Sequence, residues 1–283
     1  MANKSLIIVN NEDLRIRPSA VESFYGCAFA WGKTFLEGVQ GRAASRSSIG
    51  TSIHAGVEKM WQDAIASGKK DPNLSAMTDA AMEAWKEEAH DGMQYNKDEN
   101  EESCANEIIA GTAAFVEDIV PFTSIPKAVE EFYKIDITGN AFVKELGGTV
   151  DYISDDTIAD VKTSKRKSAA EKHTVQQTIY TILAQANGVD VKNNLIQQVV
   201  LKKNPEGAIL QLEPDFDQAK FLVNGILDTM DLIAKDVAPI HHILRPNPGH
   251  MFCSGKFCAH YQGCPAVRGN LAEHTQIPVN VKL

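Results

Sequence analysis

Three predicted strands joined by tight turns, between residues 127 and 162, constrain the fold of this chain most. Apolar residues alternate from Val129 to Ile137, which is the period of a strand with one buried face. Gly139-Asn140 is a typical hairpin turn, and the polar turn at 154–156 leads into a third strand at 157–162. The centre of the chain is therefore predicted to form part of a sheet.

Helical patterns flank these strands on both sides. The spacing of apolar residues predicts helices at 19–37, from about His54 to Ala66, twice within 75–120, at 169–187 and at 215–235, with further strands at 196–201 and 208–212. The predicted fold class is mixed α/β. We expect one domain over 1–283, with a helical insertion at about 75–120 and a cysteine-containing segment at 245–268.

Composition narrows the setting of the protein. With 283 residues, 43% of them hydrophobic, the chain can bury a substantial core. No apolar run approaches the length of a bilayer, and the first residues lack the apolar core of a signal peptide. A cytoplasmic location without a membrane partner is therefore predicted. The chain also lacks a P-loop motif, so no nucleotide-driven motor is predicted within it.

Several side chains in these elements suggest a site. Asp160 and Lys162 close the third strand, and alternation points them to the same face. Asp151 lies on the preceding strand, His54 lies on a predicted helix, and Glu131 is an acid on an otherwise apolar strand face. Each has an ordinary alternative taken alone, as a solvated charge, a surface histidine or a turn residue.

The order of these residues resembles a known family. The chain has Gly50-Thr51-Ser52-Ile53-His54, then Gly148-Thr149-Val150-Asp151, then Asp160-Val161-Lys162, and then Gln176 with Tyr180 four residues later. This succession resembles the PD-(D/E)XK nuclease superfamily, in particular its RecB-like and Cas4-like branch. The resemblance covers the stretch from Ser19 to Tyr180 and resumes at the C-terminal cysteines.

The resemblance implies a restriction-endonuclease-like core and a metal-dependent cleavage site. Mg²⁺ or Mn²⁺ would be held by His54, Asp151, Asp160 and the carbonyl of Val161, with assistance from Glu131. Lys162 would contact the scissile phosphate or the attacking water. Gln176 and Tyr180 would orient the nucleophile or the DNA backbone; the alternative is a helix packed by Tyr180, with Gln176 solvated.

Basic residues cluster directly after the Asp160 strand. The chain as a whole is acidic, with a formal net charge of −9, but overall charge does not describe the field in a cleft. The predicted DNA-binding residues are Thr163, Ser164, Lys165, Arg166, Lys167 and Lys172. A solubilising loop is the alternative interpretation.

Four of the five cysteines suggest a metal site that joins the two ends of the chain. Cys253, Cys258 and Cys264 are closely spaced, and Cys27 is the natural fourth thiolate, whereas Cys104 is expected to be a bystander. Cas4-like and AddB-like nucleases hold a [4Fe-4S] cluster with this layout, so the resemblance implies one here. The four residues between Cys253 and Cys258, where the family commonly has two, leave zinc open. Unliganded thiols are the remaining alternative.

The predicted function is a metal-dependent DNA nuclease. The leading hypothesis is an exonuclease that processes DNA ends in recombination, repair or replication, and a phage is one predicted source. Single-stranded DNA or DNA ends are the predicted substrate, and the candidate protein partners are a helicase, a single-strand-binding protein or a recombination protein. The alternatives are a structure-specific endonuclease, a Cas4-like CRISPR-adaptation nuclease, a catalytically silent DNA-binding module and a zinc-stapled interaction protein.

Overall fold

A computed structural model describes residues 14–39, 41, 43–89, 92–238 and 240–267. The chain divides into two compact units. The larger unit comprises Arg42–Ile135 and Gly147–Ala219, and the smaller comprises Met1–Gly41, Asp136–Leu146 and Lys220–Leu283 as far as these are described. A single domain with a helical insertion stays a prediction. No helix among the described residues combines the length and apolar character needed to cross a membrane.

Among the described residues, five helices follow the first strand, and the remaining strands come in two groups separated by a helix. In chain order they are β1 (Leu14–Ile16), α1 (Pro18–Gly26), α2 (Ala28–Phe35), α3 (Ser45–Ser67), α4 (Leu74–Ala89), α5 (Glu101–Asp118), β2 (Ala128–Asp136), β3 (Val143–Ile153), β4 (Thr157–Ser164), α6 (Thr174–Ala186), β5 (Asn193–Val200), β6 (Glu206–Leu212), α7 (Phe216–Ala234) and α8 (Ile240–Ile243). Short 3₁₀ turns lie at Val120–Phe122, Ala170–His173 and Tyr261–Gly263.

The larger unit is built on a mixed sheet. β3 and β4 are antiparallel, β4 and β5 are parallel from Thr157–Asn193 to Ser164–Val200, and β5 and β6 are antiparallel. β2 pairs with β3. A parallel pair needs a crossover connection, and α6 supplies it between β4 and β5. This mixed sheet with flanking helices confirms the predicted fold class.

The core of the larger unit joins α3, α4 and α5 to the sheet. Trp61 of α3, Trp85 of α4 and Phe115 of α5 are fully buried and belong to one cluster with Ala159 and Val161 of β4. Local signals set the helix ends: Asn100 caps α5 in a reciprocal box with Ser103, and Gly68 ends α3 in the left-handed conformation at φ 65°. The sheet strand that carries Asp160 is therefore held rigidly by helix packing.

In the smaller unit, β1 runs parallel to the beginning of β3, with Ile16 opposite Leu146. The single helix predicted at 19–37 was wrong, because Cys27 has an extended backbone and separates α1 from α2. Phe24 and Trp31 pack edge to face across this break, with ring centroids 5.2 Å apart, and such aromatic contacts favour the bent arrangement. β1 and α8 were not predicted, and α6 begins at Thr174 rather than 169 because a 3₁₀ turn precedes it.

Candidate active site

Helix α3 carries His54 to the sheet because Gly50 allows a close approach. A Cβ atom at Gly50 would lie 3.0 Å from Oγ1 of Thr163 on β4, which is tighter than ordinary packing. His54 lies one turn further along the same helix and faces the same cavity as Gly50 and Thr163. The glycine of the Gly-Thr-x-x-His motif therefore has a packing reason at this position.

Two aspartates face each other across β3 and β4. Tyr152 pairs with Ala159, and Asp151 and Asp160 adjoin this pair on neighbouring strands, close enough for the charge of Asp160 to raise the pKa of Asp151. The Val161 backbone N–H donates to Oδ2 of Asp151 at 2.8 Å. Asp160 is only 3% exposed, and like charges opposite each other in a sheet are destabilising. The pair therefore creates a buried negative field that a cation would relieve.

Glu130, and not the predicted Glu131, is the acid of β2 that lies in the cavity. The backbone at Glu130 has φ 50°, the left-handed conformation that non-glycine residues rarely adopt, and this interrupts the strand alternation. As a result Glu130 lines the cavity with His54 and Asp151, whereas Glu131 is exposed. In the sequence, the only signal for an acid here was the adjacent pair Glu130 and Glu131, and strand alternation favoured Glu131.

His54, Glu130 and Asp151 form a candidate metal-binding group. Each offers a ligand atom, and these atoms all lie within 4.8 Å of one another. Nδ1 of His54 is 3.4 Å from Oδ2 of Asp151. Two carboxylates and an imidazole suit Mn²⁺, and Mg²⁺ prefers the oxygens. The donor set therefore fits a divalent cation, and it shares His54 and Asp151 with the predicted ligands.

Burial and mutual repulsion raise the pKa values of two carboxyl groups in the cavity, those of Glu130 and Asp151. Burial, with the charges of Asp151, Glu58 and Asp160, raises the pKa of Glu130 to about 7. Burial and Asp160 raise the pKa of Asp151 to about 6, against the opposing effects of His54, the Val161 N–H and Lys162. Strongly perturbed carboxylates in a cleft are typical of functional sites.

Asp160 lies beside this group and is oriented by two neighbours. Nζ of Lys162 lies 2.6 Å from Oδ2 of Asp160 and forms an ion pair with it. The Gln176 side-chain amide donates to Oδ1 of Asp160 at 3.2 Å. The structure thus brings Asp160, Lys162 and Gln176 together, and it places the Asp160 carboxylate between Lys162 and Gln176 rather than in the three-residue group.

Tyr180 lies one turn after Gln176 on α6. Its side chain is buried, its hydroxyl is 3.5 Å from the Gln176 amide nitrogen, and burial together with Asp160 raises its pKa. The hydroxyl therefore stays protonated at neutral pH and is available as a donor. Gln176 is bonded to Asp160, whereas the alternative interpretation of the sequence had its side chain solvated.

A cavity of about 570 Å³ opens over the metal-binding group. His54, Glu130, Asp151 and Lys162 line it, and Arg46 and Thr163 lie at its wall. The Arg46 guanidinium bonds to Glu99 and Glu107 around α5. Arg46 was not among the predicted residues, and its contacts depend on acids more than fifty positions away.

The predicted basic loop lies at the end of β4. Lys165 pairs with Glu107, the Ser164 hydroxyl donates to the Arg166 carbonyl at 2.7 Å, and the side chains of Arg166, Lys167 and Lys172 are exposed. Part of the positive charge is thereby offset by α5. Phosphate binding by this loop stays a prediction.

The four predicted cluster cysteines lie in the smaller unit. Cys27 occupies the α1–α2 junction, and it lines one cavity of about 620 Å³ together with Cys253, Cys258 and Cys264. Burial raises the pKa of the Cys264 thiol, and charge on the other three sulfurs raises it further. Cys104 is buried in the hydrophobic core of the larger unit.

Comparison with known proteins identifies the family. The model of the PD-(D/E)XK nuclease superfamily matches residues 15–265, and the chain belongs to this superfamily. The family implies a nuclease that acts on DNA and uses divalent metal ions, in agreement with the metal-binding group described above. Among curated proteins, no sequence matches significantly.

A solved structure shares the fold. A crystal structure of a protein from Eubacterium rectale, which carries the provisional name of an exonuclease, aligns with a TM-score of 0.59 over 93% of this chain and 94% of that chain. The two sequences are 11% identical, so the likeness concerns the fold. The crystal structure of SSO0001 aligns over 42% of this chain and 59% of that chain at 16% identity, and its TM-score of 0.27 is too low to indicate a shared fold.

Metal affinity should depend steeply on pH. Ligand carboxylates must be deprotonated to bind, and in the metal-free protein Glu130 and Asp151 have pKa values of about 7 and about 6. We expect Mn²⁺ affinity to rise between about pH 6 and pH 8, with release of protons. Because these folded-state pKa values are raised above the ordinary carboxyl values, the metal-free protein should lose stability as the pH rises from about 4 through about 7.

Calorimetric titration with Mn²⁺ at both pH values, in two buffers of different ionisation enthalpy, measures the affinity and the released protons. Affinity that stays constant across this range would contradict the assignment of Glu130 and Asp151 as ligands.

Proposed function

We propose that this protein is a metal-dependent DNA exonuclease that processes DNA ends in recombination, repair or replication. The observation that carries the proposal is the meeting of His54, Glu130 and Asp151 with the Asp160–Lys162 pair at one cavity. The provisional name of the Eubacterium rectale protein favours an exonuclease over an endonuclease. Membership of the RecB-like and Cas4-like branch, a phage or bacterial host, a cytoplasmic location and the protein partners named above stay predictions.

The residues of the chain divide the work of phosphodiester hydrolysis. Glu130, Asp151 and His54 would hold the divalent ion, with Asp160 and the Val161 carbonyl next to it. When bound, the ion supplies neutralisation of the phosphate charge and acidification of a water molecule. Lys162 is paired with Asp160 and lines the cavity, where it would stabilise negative charge that develops on the phosphate.

Gln176 and Tyr180 act as positioning residues in this proposal. Gln176 fixes one oxygen of Asp160, which leaves the other oxygen for Lys162. Tyr180 supports the Gln176 amide from the next turn of α6. A rigid arrangement of this kind keeps the ammonium group near the reacting phosphate, since small misplacements are costly in catalysis.

Degradation of end-labelled DNA tests the exonuclease proposal. Linear DNA labelled separately at its 5′ and 3′ ends, and covalently closed circular DNA of the same sequence, are incubated with the protein and Mg²⁺ or Mn²⁺. We expect loss of end label from linear DNA and no cleavage of the circle. Cleavage of the circle would favour the structure-specific endonuclease, and the absence of any cleavage by protein that binds DNA would favour a silent binding module.

For the cysteines we propose a structural [4Fe-4S] cluster held by Cys27, Cys253, Cys258 and Cys264. All four line one cavity. Within the described ranges, the metal-binding groups whose atoms approach within 4.8 Å include no three of these sulfurs. A single tetrahedral zinc ion would need sulfur separations of roughly 3.8 Å, whereas in a cluster each thiolate binds a different iron. The choice of a cluster over zinc rests on the resemblance of this cysteine layout to that of Cas4-like and AddB-like nucleases.

Iron content distinguishes these possibilities. Anaerobically purified protein should be brown and contain about four irons per chain. Cys253→Ser should lose iron and unfold at a lower temperature, while Cys104→Ser, the matched control in the other unit, should retain its iron. Elemental analysis and visible absorption provide the measurement. Stoichiometric zinc without iron in the wild-type protein would refute the cluster.

A further inference from the structure

The C-terminal segment differs in charge from the rest of the chain. The chain has 37 Asp and Glu residues and a net charge of −9, yet no acid occurs between Asp236 and Glu273. Arg245 and Lys256 lie within this acid-free stretch, in the part that the structure describes. Glu22 of α1 lines the same cavity as Phe252 and Phe257, but the segment itself contributes positive and no negative side chains, which favours a polyanionic ligand.

Aromatic and apolar side chains are exposed in the same segment. Met251 is 80% exposed, and Phe252 and Phe257 are each 53% exposed. The Phe252 and Phe257 rings lie 5.9 Å apart in an edge-to-face arrangement, and Nζ of Lys256 lies 4.9 Å from the Phe257 ring centroid. We call Met251, Phe252, Lys256 and Phe257 the aromatic–basic surface.

Holding a metal does not require these side chains to be exposed. The cysteines need only turns that aim their thiols inward, and Phe252 and Phe257 line that cavity on one side while their remaining surface faces solvent. Exposed apolar groups at this density usually mark a binding surface. Here they are interleaved with positive charge and lie in a stretch without acids, so a partner with flat apolar faces and a negative backbone is favoured.

We propose that the aromatic–basic surface binds single-stranded DNA by stacking unpaired bases on Phe252 and Phe257, with Lys256 contacting the backbone. This inference rests on the proposed DNA-processing function and adds a second contact region for the substrate, separate from the metal-binding group. Stacking of bases on aromatic side chains is tolerant of sequence. The surface therefore recognises unpaired strands in general and gives no base preference of its own.

The test measures DNA binding without cleavage. Protein carrying Asp160→Asn is mixed with a fluorescently labelled oligothymidine without added divalent metal, and anisotropy gives the affinity. Adding the double substitution Phe252→Ala and Phe257→Ala should weaken binding at least tenfold, since stacking on both rings is lost. The matched control is Phe221→Ala on α7, a 74% exposed phenylalanine of the same unit, and its affinity should be unchanged.

A conservative variant separates stacking from folding defects. Phe257→Trp should retain the affinity, and its fluorescence should be quenched when the oligonucleotide binds. A blunt duplex of equal length should lose less affinity in the double variant, because its bases are already stacked on each other. If the double variant binds the oligonucleotide like the Phe221→Ala control, or if Phe257→Trp shows no quenching, the proposal is overturned.

Binding and cleavage are read separately in this design. A wild-type protein that binds single strands through this surface but never cuts them would refute the proposed nuclease activity and leave this inference standing. If the wild-type protein degrades DNA and the double variant keeps full affinity for single strands, this inference is refuted and the proposed nuclease activity stands.

Discussion

Asp160→Asn, Asp160→Ala and Lys162→Ala are each expected to abolish DNA cleavage while the protein remains folded. Asp160 is buried between Lys162 and Gln176, and Lys162 lines the cavity over the metal-binding group. Loss of one such stabilising charge commonly costs about 10²–10³ in rate. Release of label from linear DNA with Mg²⁺ or Mn²⁺ is the measurement, and retention of full activity by any of these variants would overturn the site.

Controls distinguish lost chemistry from lost structure. Asp155→Asn removes an exposed acid from the turn between β3 and β4 and should leave cleavage unchanged. Asp160 raises the pKa values of Glu130 and Asp151, so Asp160→Asn should remove repulsion and raise metal-free stability near pH 8. Lys162→Ala leaves the buried Asp160 carboxylate without its cation, which is destabilising. Thermal unfolding curves should therefore shift in opposite directions for these two inactive variants.

Glu130→Gln is expected to impair metal binding and cleavage, while Glu131→Gln is expected to do neither. The two residues are adjacent, but only Glu130 joins the group with His54 and Asp151, and Glu131 is exposed. We expect Mn²⁺ affinity to fall at least about tenfold for Glu130→Gln, since even indirect supports of a metal site have effects of this size. Calorimetric titration at about pH 8 measures the difference.

The backbone of Glu130 provides an independent check of this assignment. Its φ of 50° is strained for a residue with a side chain, and such strain tends to persist at functional sites. Glu130→Gly should therefore be more stable than Glu130→Ala, although both lose the metal. If Glu131→Gln instead reduced metal affinity and Glu130→Gln did not, the strand alternation inferred from the sequence would be correct and the geometry described here would be wrong.

Much of the fold could be predicted because its signals are local. The alternation at 157–162, the Gly139-Asn140 turn and the apolar spacing of the helices each depend on neighbouring residues, and they predicted β4, the β2–β3 connection and most helices. Asp151, Asp160 and Lys162 could be placed near one another for the same reason, since two adjacent strands of known face carry them.

Other features depended on contacts that sequence spacing does not reveal. The break at Cys27 interrupts a continuous helical pattern and is accompanied by packing between Phe24 and Trp31. Arg46 reaches Glu99 and Glu107 on or beside a helix that lies more than fifty residues away in the chain. Periodicity carries no information about either.

The sequence by itself determined the family resemblance, the order of the motifs and the strand faces of Asp160 and Lys162, because short-range alternation and turn chemistry encode them. Only the tertiary structure decided that Glu130 rather than Glu131 meets His54 and Asp151, and that Gln176 is bonded to Asp160. The reason is physical. A single left-handed residue in a strand reverses which side chain faces inward, and the packing of the whole unit must stabilise that conformation before the side chain can reach its partners.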